Sequence, residues 1–338
     1  MSRTRTRLGL TLVLLLVAFT ASFTAQKKAK DRNKDGADAN LPELIWRDPG
    51  DMASLDLIYG AGGKAHAPDP NGAFTFVKED LQQTSPKFDV TDDQGVTWRV
   101  KLGHEPQSET AATRFLWAAG YFVDEDYYLP EIHVTGLPKL ERGGNFVSAD
   151  GAVHGARLER RLKEVKKQGA WDWFDNPFLG TQEFNGLRVM MSLLNNWDLS
   201  TLNNSIYDVA AERRYVVSDV GATFGNTGNS FTRSKSVPRD YAASTFIGKT
   251  RVAFIDFVMH SRPFFLSAVN VRNYRDRTRM EQVTKGIPRA DATWLRRRLS
   301  MLSEEQIRDG FRAAGYTREE VESYTQTMRK RIAELGAL

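Results

Sequence analysis

The chain contains no cysteine. That absence removes disulfides, zinc–thiolate centres and thiol nucleophiles, and with them any lipid anchor attached through sulfur. Net charge is also scarce. The formal charge is +5, but Arg3, Arg5 and Arg7 supply three of those charges at the extreme N-terminus, which leaves +2 for the rest. Basic residues scattered among acids with so small an excess do not make a nucleic-acid surface, so no nucleic-acid partner is expected. The five histidines (His66, His104, His133, His154 and His260) show no metal-ligand spacing. There is no Gly-x-Ser-x-Gly elbow. Residues 60–64 are not a Walker loop either, because they lack its spacing and the Ser or Thr after Lys64. No repeat of solenoid type is present.

What remains is an ordinary globular composition, 41% hydrophobic and 26% charged, over 338 residues, which fits one bilobal domain or two small ones. Residues 1–25 begin with three arginines and continue into a short apolar core. This reads as an export signal, or an uncleaved N-terminal anchor, and places the protein in the periplasm, outside the cell or on the outer face of the cytoplasmic membrane. Residues 26–40 are polar and rich in Lys, Asp and Asn, and read as a disordered linker able to touch an anionic membrane surface.

From residue 41 to 135 the pattern is short strands with one helix. Strand candidates are residues 55–59, 74–77, 88–90 and 96–101, the last two joined by the hairpin signal Asp92-Asp93-Gln94-Gly95. Residues 108–119 read as a helix, followed by strand candidates at 127–129 and 132–134. Asp124-Glu125-Asp126 reads as a solvated turn. Residues 136–338 read as largely helical, with an amphipathic helix over 157–167 and a buried one over 187–194. Trp171-Asp172-Trp173-Phe174 is expected to anchor that core. Residues 303–338 hold two closing helices, each opened by a capping box: Ser303 with Gln306, and Thr317 with Glu320. The expected class is α+β, a small strand-rich lobe before a larger helical one.

The chemistry concentrates after the 187–194 helix. Asp198 is followed five residues later by Asn203, and then by an apolar run that ends in Asp219-Val220-Gly221. Phosphoryl transfer needs oxygen ligands for a divalent metal, a carboxylate beside the attacking hydroxyl and a cation on the phosphates. Asp198 can orient the hydroxyl, while Asn203 and Asp219 can hold the metal. Lys101, at the end of an alternating strand, is the candidate phosphate cation, and Glu109 on the next helix can hold it in place. Gly60, Gly62 and Gly63 can offer backbone N–H groups to phosphates. The same Asp and Asn residues also suit ordinary turns and caps.

In this order the residues resemble the protein-kinase-like superfamily, in particular its atypical HipA-type, phosphatidylinositol-kinase-like and secreted branches. The resemblance spans roughly residues 50–300. It implies a bilobal kinase-like fold that uses ATP with Mg²⁺ or Mn²⁺ and transfers phosphate to a hydroxyl on a protein, lipid or small molecule. It assigns Lys101 to the phosphates, Glu109 to bracing Lys101, Asp198 to the acceptor, and Asn203 and Asp219 to metal. The chain departs from the pattern at Asn196 (usually His), Ser200 (a loop Lys in protein kinases) and Val220 (the Phe of Asp-Phe-Gly). Only eight residues separate Lys101 from Glu109, so Glu105 is a rival brace, and no Ala-Pro-Glu motif follows. These departures keep a second reading open, a pseudokinase-like nucleotide-binding or scaffolding protein of the envelope.

Overall fold

The computed structural model describes residues 41–82, 84–161, 165–228, 232–259 and 271–338. The expected export signal and polar linker, and His260, lie outside the described residues. All the structure below belongs to one compact unit, Glu43–Leu338.

After a two-residue strand, β1 (Glu43–Leu44), the residues expected to form a strand at 55–59 instead run through turns on either side of Leu55, at Met52–Ser54 and Gly60–Gly62. A five-stranded barrel then forms from β2 (Phe74–Asp80), β3 (Lys87–Asp92), β4 (Thr97–Lys101), β5 (Asp126–Thr135) and β6 (Ala152–Arg161). Its order is β2-β3-β4-β6-β5, closed by parallel pairing of Phe74 and Thr75 with Val134 and Thr135. The β3–β4 hairpin forms where the sequence signalled it. Asp92 Oδ1 accepts the backbone N–H of Gln94 at 3.0 Å and of Val96 at 2.8 Å, and Gly95 takes the left-handed φ of 77° that the turn requires. Strand alternation sends Phe88, Val90, Trp98, Val100 and Leu158 into the barrel core.

The described residues of the expected 157–167 helix are not helical: 157–161 end β6 and 166–167 begin β7 (Lys166–Gly169), so the strand-rich lobe runs to Arg161, past the expected boundary at 135. The physical reason is that both faces of β6 are buried. Leu158 faces the barrel core, while Arg157, 4% exposed, is buried among acids on the other face. Charge here marks an internal ion pair, not a solvated helix face. Asp124-Glu125-Asp126 fails as a solvated turn for the same reason, since Asp126 is 1% exposed and 2.5 Å from Arg157 Nη1.

Helix α1 (Pro106–Ala118) follows β4 and is buried along most of its length. The second lobe is helix-rich as expected, with α2 (Gln182–Leu193), α3 (Pro238–Ala243), α4 (Val271–Gln282), α5 (Arg289–Leu299), α6 (Glu304–Arg312) and α7 (Arg318–Glu334). It also carries two small sheets. One is β1-β9-β8-β7, with β8 (Asn204–Val209) and β9 (Glu212–Val217). The other is β10 (Ile247–Thr250), β11 (Phe254–Phe257) and β12 (Ile287–Pro288). Trp171 and Trp173 are buried against Phe184 of α2, as the core-anchor reading required. Phe115 of α1 meets Phe311 of α6 at 4.9 Å between ring centroids, and Phe311 stacks on Tyr324 of α7 at 4.9 Å. No described helix is long and apolar enough to cross a membrane.

Both capping boxes form: Ser303 and Gln306 open α6, and Thr317 and Glu320 open α7. Replacing Thr317 with Ala removes the acceptor for the Glu320 N–H, and should lower stability by about 1 kcal/mol in urea denaturation. An unchanged midpoint would mean that the α7 cap contributes nothing.

Candidate active site

The site is built around the end of β4. Lys101 is 3% exposed, and its Nζ lies 2.7 Å from Glu105 Oε2, 2.9 Å from Glu109 Oε2 and 2.7 Å from Asp219 Oδ1. Both sequence candidates for the brace therefore hold the lysine. Oxygens of the three acids lie within 4.8 Å of one another, a spacing that also suits a cation, and in this conformation the ammonium sits among them. Burial opposes a charge on Lys101, but Glu109, Asp219 and Glu105 together raise it well above the ordinary lysine value. Glu105 feels burial too, yet Lys101 and Lys235 bring it down to about 2. For Glu109 burial wins, pushing it up to about 7 against the pull of Arg157 and Lys101.

Close backbone packing fixes these carboxylates. Gly221 has no room for a side chain, since a Cβ there would lie 2.7 Å from Glu105 Cβ. Ser108 Oγ in the first turn of α1 donates to Gly221 O at 2.6 Å, which ties α1 to the Asp-x-Gly segment. Asp219 adopts φ 44°, a left-handed conformation uncommon for a non-glycine residue. Contacts on both sides hold it there: Ser218 N–H donates to Asn203 O at 3.0 Å, and Gly221 is held by Ser108.

The loop after α2 supplies the remaining residues. Asn195 leaves the helix at φ 55°, donates to Gly225 O at 2.6 Å and accepts from Arg331 Nη1 at 2.8 Å. Asn196 Oδ1 accepts the Asp198 N–H at 3.1 Å, and Asn203 Nδ2 donates to Asp198 O at 3.0 Å. Burial pushes the Asp198 carboxyl up, Asn203 pulls it back, and the negative charges of Asp219 and Glu105 raise it further. A carboxylate raised in this way is a better proton acceptor for a hydroxyl.

A cavity of about 120 Å³ lies over Lys101, Glu109, Ser218 and Asp219. Asp198 and Asn203 line neither this cavity nor the larger one of about 440 Å³, but Lys101 and Asp219 line only the smaller, which is therefore the one next to the ion cluster. The structure does not bring Gly60, Gly62 and Gly63 there. A Cβ on Gly60 would meet Arg114 at 2.6 Å, one on Gly62 would meet the Tyr127 hydroxyl at 2.2 Å, and Tyr127 donates to Gly63 O at 3.0 Å. Gly60 and Gly62 are close-packed against α1 and β5, while Gly63 has open space around it and a positive φ of 61°. The β2–β3 connection approaches the site instead, with Ser85 Oγ donating to Glu105 Oε2 at 3.0 Å.

Three participants were not found by sequence reasoning. Besides Ser85 these are Lys235, 2.5 Å from Glu105 Oε1, and Arg157, whose Nε lies 3.5 Å from Glu109 Oε2. Arg157 is the β6 register partner of Lys101, a relation hidden once 157–167 is taken as a helix. Ser85 and Lys235 come from irregular segments with no motif to mark them.

No family model matches the chain, and no curated protein matches it. Among solved structures it is similar to the proinflammatory kinase CtkA of Helicobacter pylori, at 12% identity and a TM-score of 0.38, over 78% of this chain and 94% of that one. It is also similar to a Golgi casein kinase, at 10% identity and a TM-score of 0.33, over 84% of this chain and 78% of that one. Likenesses so remote carry no weight for activity or residue roles. Around the site, the order of elements expected from the sequence is the observed one. Strands β2 to β4 end in Lys101, the acid-bearing α1 follows, β5 and β6 complete the barrel, and the helix-rich part carries the Asp198 loop and the Asp-x-Gly turn.

Replacing Lys101 with Met leaves three clustered carboxylates without their shared cation, and should lower stability at pH 7 by about 3–5 kcal/mol. The sign with pH follows from the shifts. In the native protein Glu105, lowered from 4.5 to about 2, contributes stability that is complete above 4.5 and lost as pH falls towards 2. Without Lys101 the acids take up protons more readily in the folded state, so the variant's deficit should shrink from pH 7 to pH 5. Urea denaturation at both values measures this, and an equal deficit at both would contradict it.

Proposed function

We propose that this chain is a metal-dependent phosphotransferase, exported on the strength of residues 1–25, that moves phosphate from a nucleoside triphosphate such as ATP to a hydroxyl acceptor. The observation that carries the reading is the buried Lys101 ammonium, held by helix-borne Glu105 and Glu109 and by Asp219 of the Asp-x-Gly turn. Burying a cation among three acids carries a desolvation cost that well-packed apolar residues would avoid, and such clusters recur at functional sites.

The donor set suits a divalent metal. Asn203 gives its amide N–H to the Asp198 carbonyl, which leaves the amide oxygen for a cation. Asp219 gives Oδ1 to Lys101 and keeps Oδ2. Mg²⁺ or Mn²⁺ held by these two residues would neutralise phosphate charge beside the transferring group. Lys101 holds the non-transferred phosphates, and Glu109 keeps its ammonium pointed into the cavity. Asp198 orients the acceptor hydroxyl and takes its proton as the oxygen attacks phosphorus. The bond from phosphorus to the leaving phosphate oxygen breaks, and the diphosphate departs with its electrons.

One observation favours a second reading. Asp219 is ion-paired with Lys101 at 2.7 Å, and a protein that stayed in this state would bind nucleotide without turnover. The full-length protein should show a thermal shift with ATP plus Mg²⁺ or Mn²⁺, and Asp219→Ala should abolish the metal-dependent part. Asp198→Ala should keep the shift while phosphate transfer falls by about 10²-fold or more. Absence of any shift in the native protein would end the proposal, and a shift without transfer would establish the second reading.

A further inference from the structure

We infer that the cleft selects its phosphate donor by the phosphates and not by the base, so that different nucleoside triphosphates, and inorganic triphosphate itself, bind comparably. The inference rests on the proposed function and deepens it.

Strand register carries it. Three adjacent strands roof the cleft, and alternation turns one set of their side chains into the barrel and the other towards the cleft. On the cleft side, Lys87, Lys101 and Arg157 are register partners across β3, β4 and β6. The next cleft-facing row is Asp89, Arg99 and Glu159, and Arg161 of β6 stands one row further along. A nucleobase held by stacking needs an apolar or aromatic platform, whereas this roof offers ions throughout its first two rows and Thr91 and Thr97 beside Arg161 in the third. Below it, the apolar side chains lining the cavity among the described residues are Leu202 and Tyr207.

A row of three cations is unfavourable in itself, because like charges directly opposite one another on a sheet repel. Acids offset all three in part: Lys101 and Arg157 pair with buried carboxylates, and Asp80 and Asp219 act on Lys87. Lys87 is held below the ordinary lysine value, by burial first and then by Arg99 and Lys101 against the pull of Asp80 and Asp219. An incoming polyanion relieves this row, whereas a neutral purine does not. The cavity volume, about 120 Å³, also suits phosphate groups better than a whole nucleotide, with the nucleoside towards the open side. The cavity of about 440 Å³ does have apolar walls, including Phe122 and Val216, and it adjoins the cleft, with Asp124, Glu159, Arg161, Lys167 and Tyr207 lining both. It is the place a selective base would occupy, and the test includes it.

The experiment is titration of the full-length protein with Mg²⁺ or Mn²⁺ and, separately, ATP, GTP, CTP, inorganic triphosphate and adenosine, with binding read by calorimetry. The three nucleotides should agree within about threefold, inorganic triphosphate should follow within about tenfold, and adenosine should not bind, because a stacked base would add roughly tenfold or more. Lys87→Met should weaken ATP and inorganic triphosphate by the same factor, about tenfold. Tyr207→Ala and Phe122→Ala should leave the ratio of the two unchanged. The inference is overturned if ATP exceeds GTP and inorganic triphosphate by far more than tenfold, or if either aromatic variant weakens ATP alone. Binding of none of the four phosphate compounds would overturn both this inference and the phosphotransferase reading beneath it. Selective ATP binding would overturn this inference alone.

Discussion

An ammonium taken out of water and surrounded by three carboxylates is the constraint to which much of the structure answers. Lys101 is stable there only because every neighbouring charge has its own partner, since an unpaired buried ion would cost several kcal/mol. Glu105 is shared with Lys235, Glu109 with Arg157, and Arg157 with Asp126 and Glu159. The chain of ions links β4, β5 and β6 of the barrel, the N-terminus of α1 and the segment after β9. Three distant parts of the sequence must therefore be in register before any one of these charges is satisfied. The tight contact of Gly221 with Glu105 and the Ser108–Gly221 hydrogen bond supply that register through the backbone.

The opposite wall depends on a different buried cation. Arg331 of α7, 2% exposed, donates to Leu193 O, Asn195 Oδ1 and the Tyr241 and Ser244 carbonyls, and lies over the Tyr241 ring at 4.0 Å. It satisfies carbonyls that the end of α2 leaves open, and so fixes how the chain leaves that helix towards Asp198. The closing helix thus packs the core and also positions the start of the Asp198 loop.

Much of this was legible in the residues themselves. The β3–β4 hairpin, α1, α2 and the two capped closing helices announce themselves through local chemistry, because a cap or a two-residue periodicity is decided within a few residues. Lys101, Glu109 and Asp219 were likewise found from order and spacing, and the structure brings them into contact, with Asp198 and Asn203 alongside. β6 was misread because its buried charges look like a solvated helix face when their partners are out of sight. Arg157 and Asp126 are 31 residues apart in sequence, and only the closed barrel makes them one pair. Gly60, Gly62 and Gly63 misled for a related reason. Glycine reports close approach or a positive φ without saying which: at Gly60 and Gly62 Arg114 and Tyr127 approach in place of a ligand, and at Gly63 only the φ of 61° calls for glycine.

The charge balance of the site bears on how a ligand enters. Lys101 and Lys235 face Glu105, Glu109 and Asp219, and Arg157 divides its charge among Glu109, Asp126 and Glu159, so each of these cations is already paired with acid. A triphosphate arriving alone would have to displace Asp219 or Glu105 from Lys101 and leave that carboxylate beside new negative charge. Under the proposed function, a triphosphate arriving with its own divalent cation would avoid this, because the carboxylate that released the lysine would gain the metal. Of the two, Asp219 is the one that can make the exchange. Its side chain is 33% exposed, against 15% for Glu105, which is also held by Lys235 and Ser85. The left-handed backbone at Asp219 then has a physical sense: it holds the carboxylate where lysine and metal can compete for it.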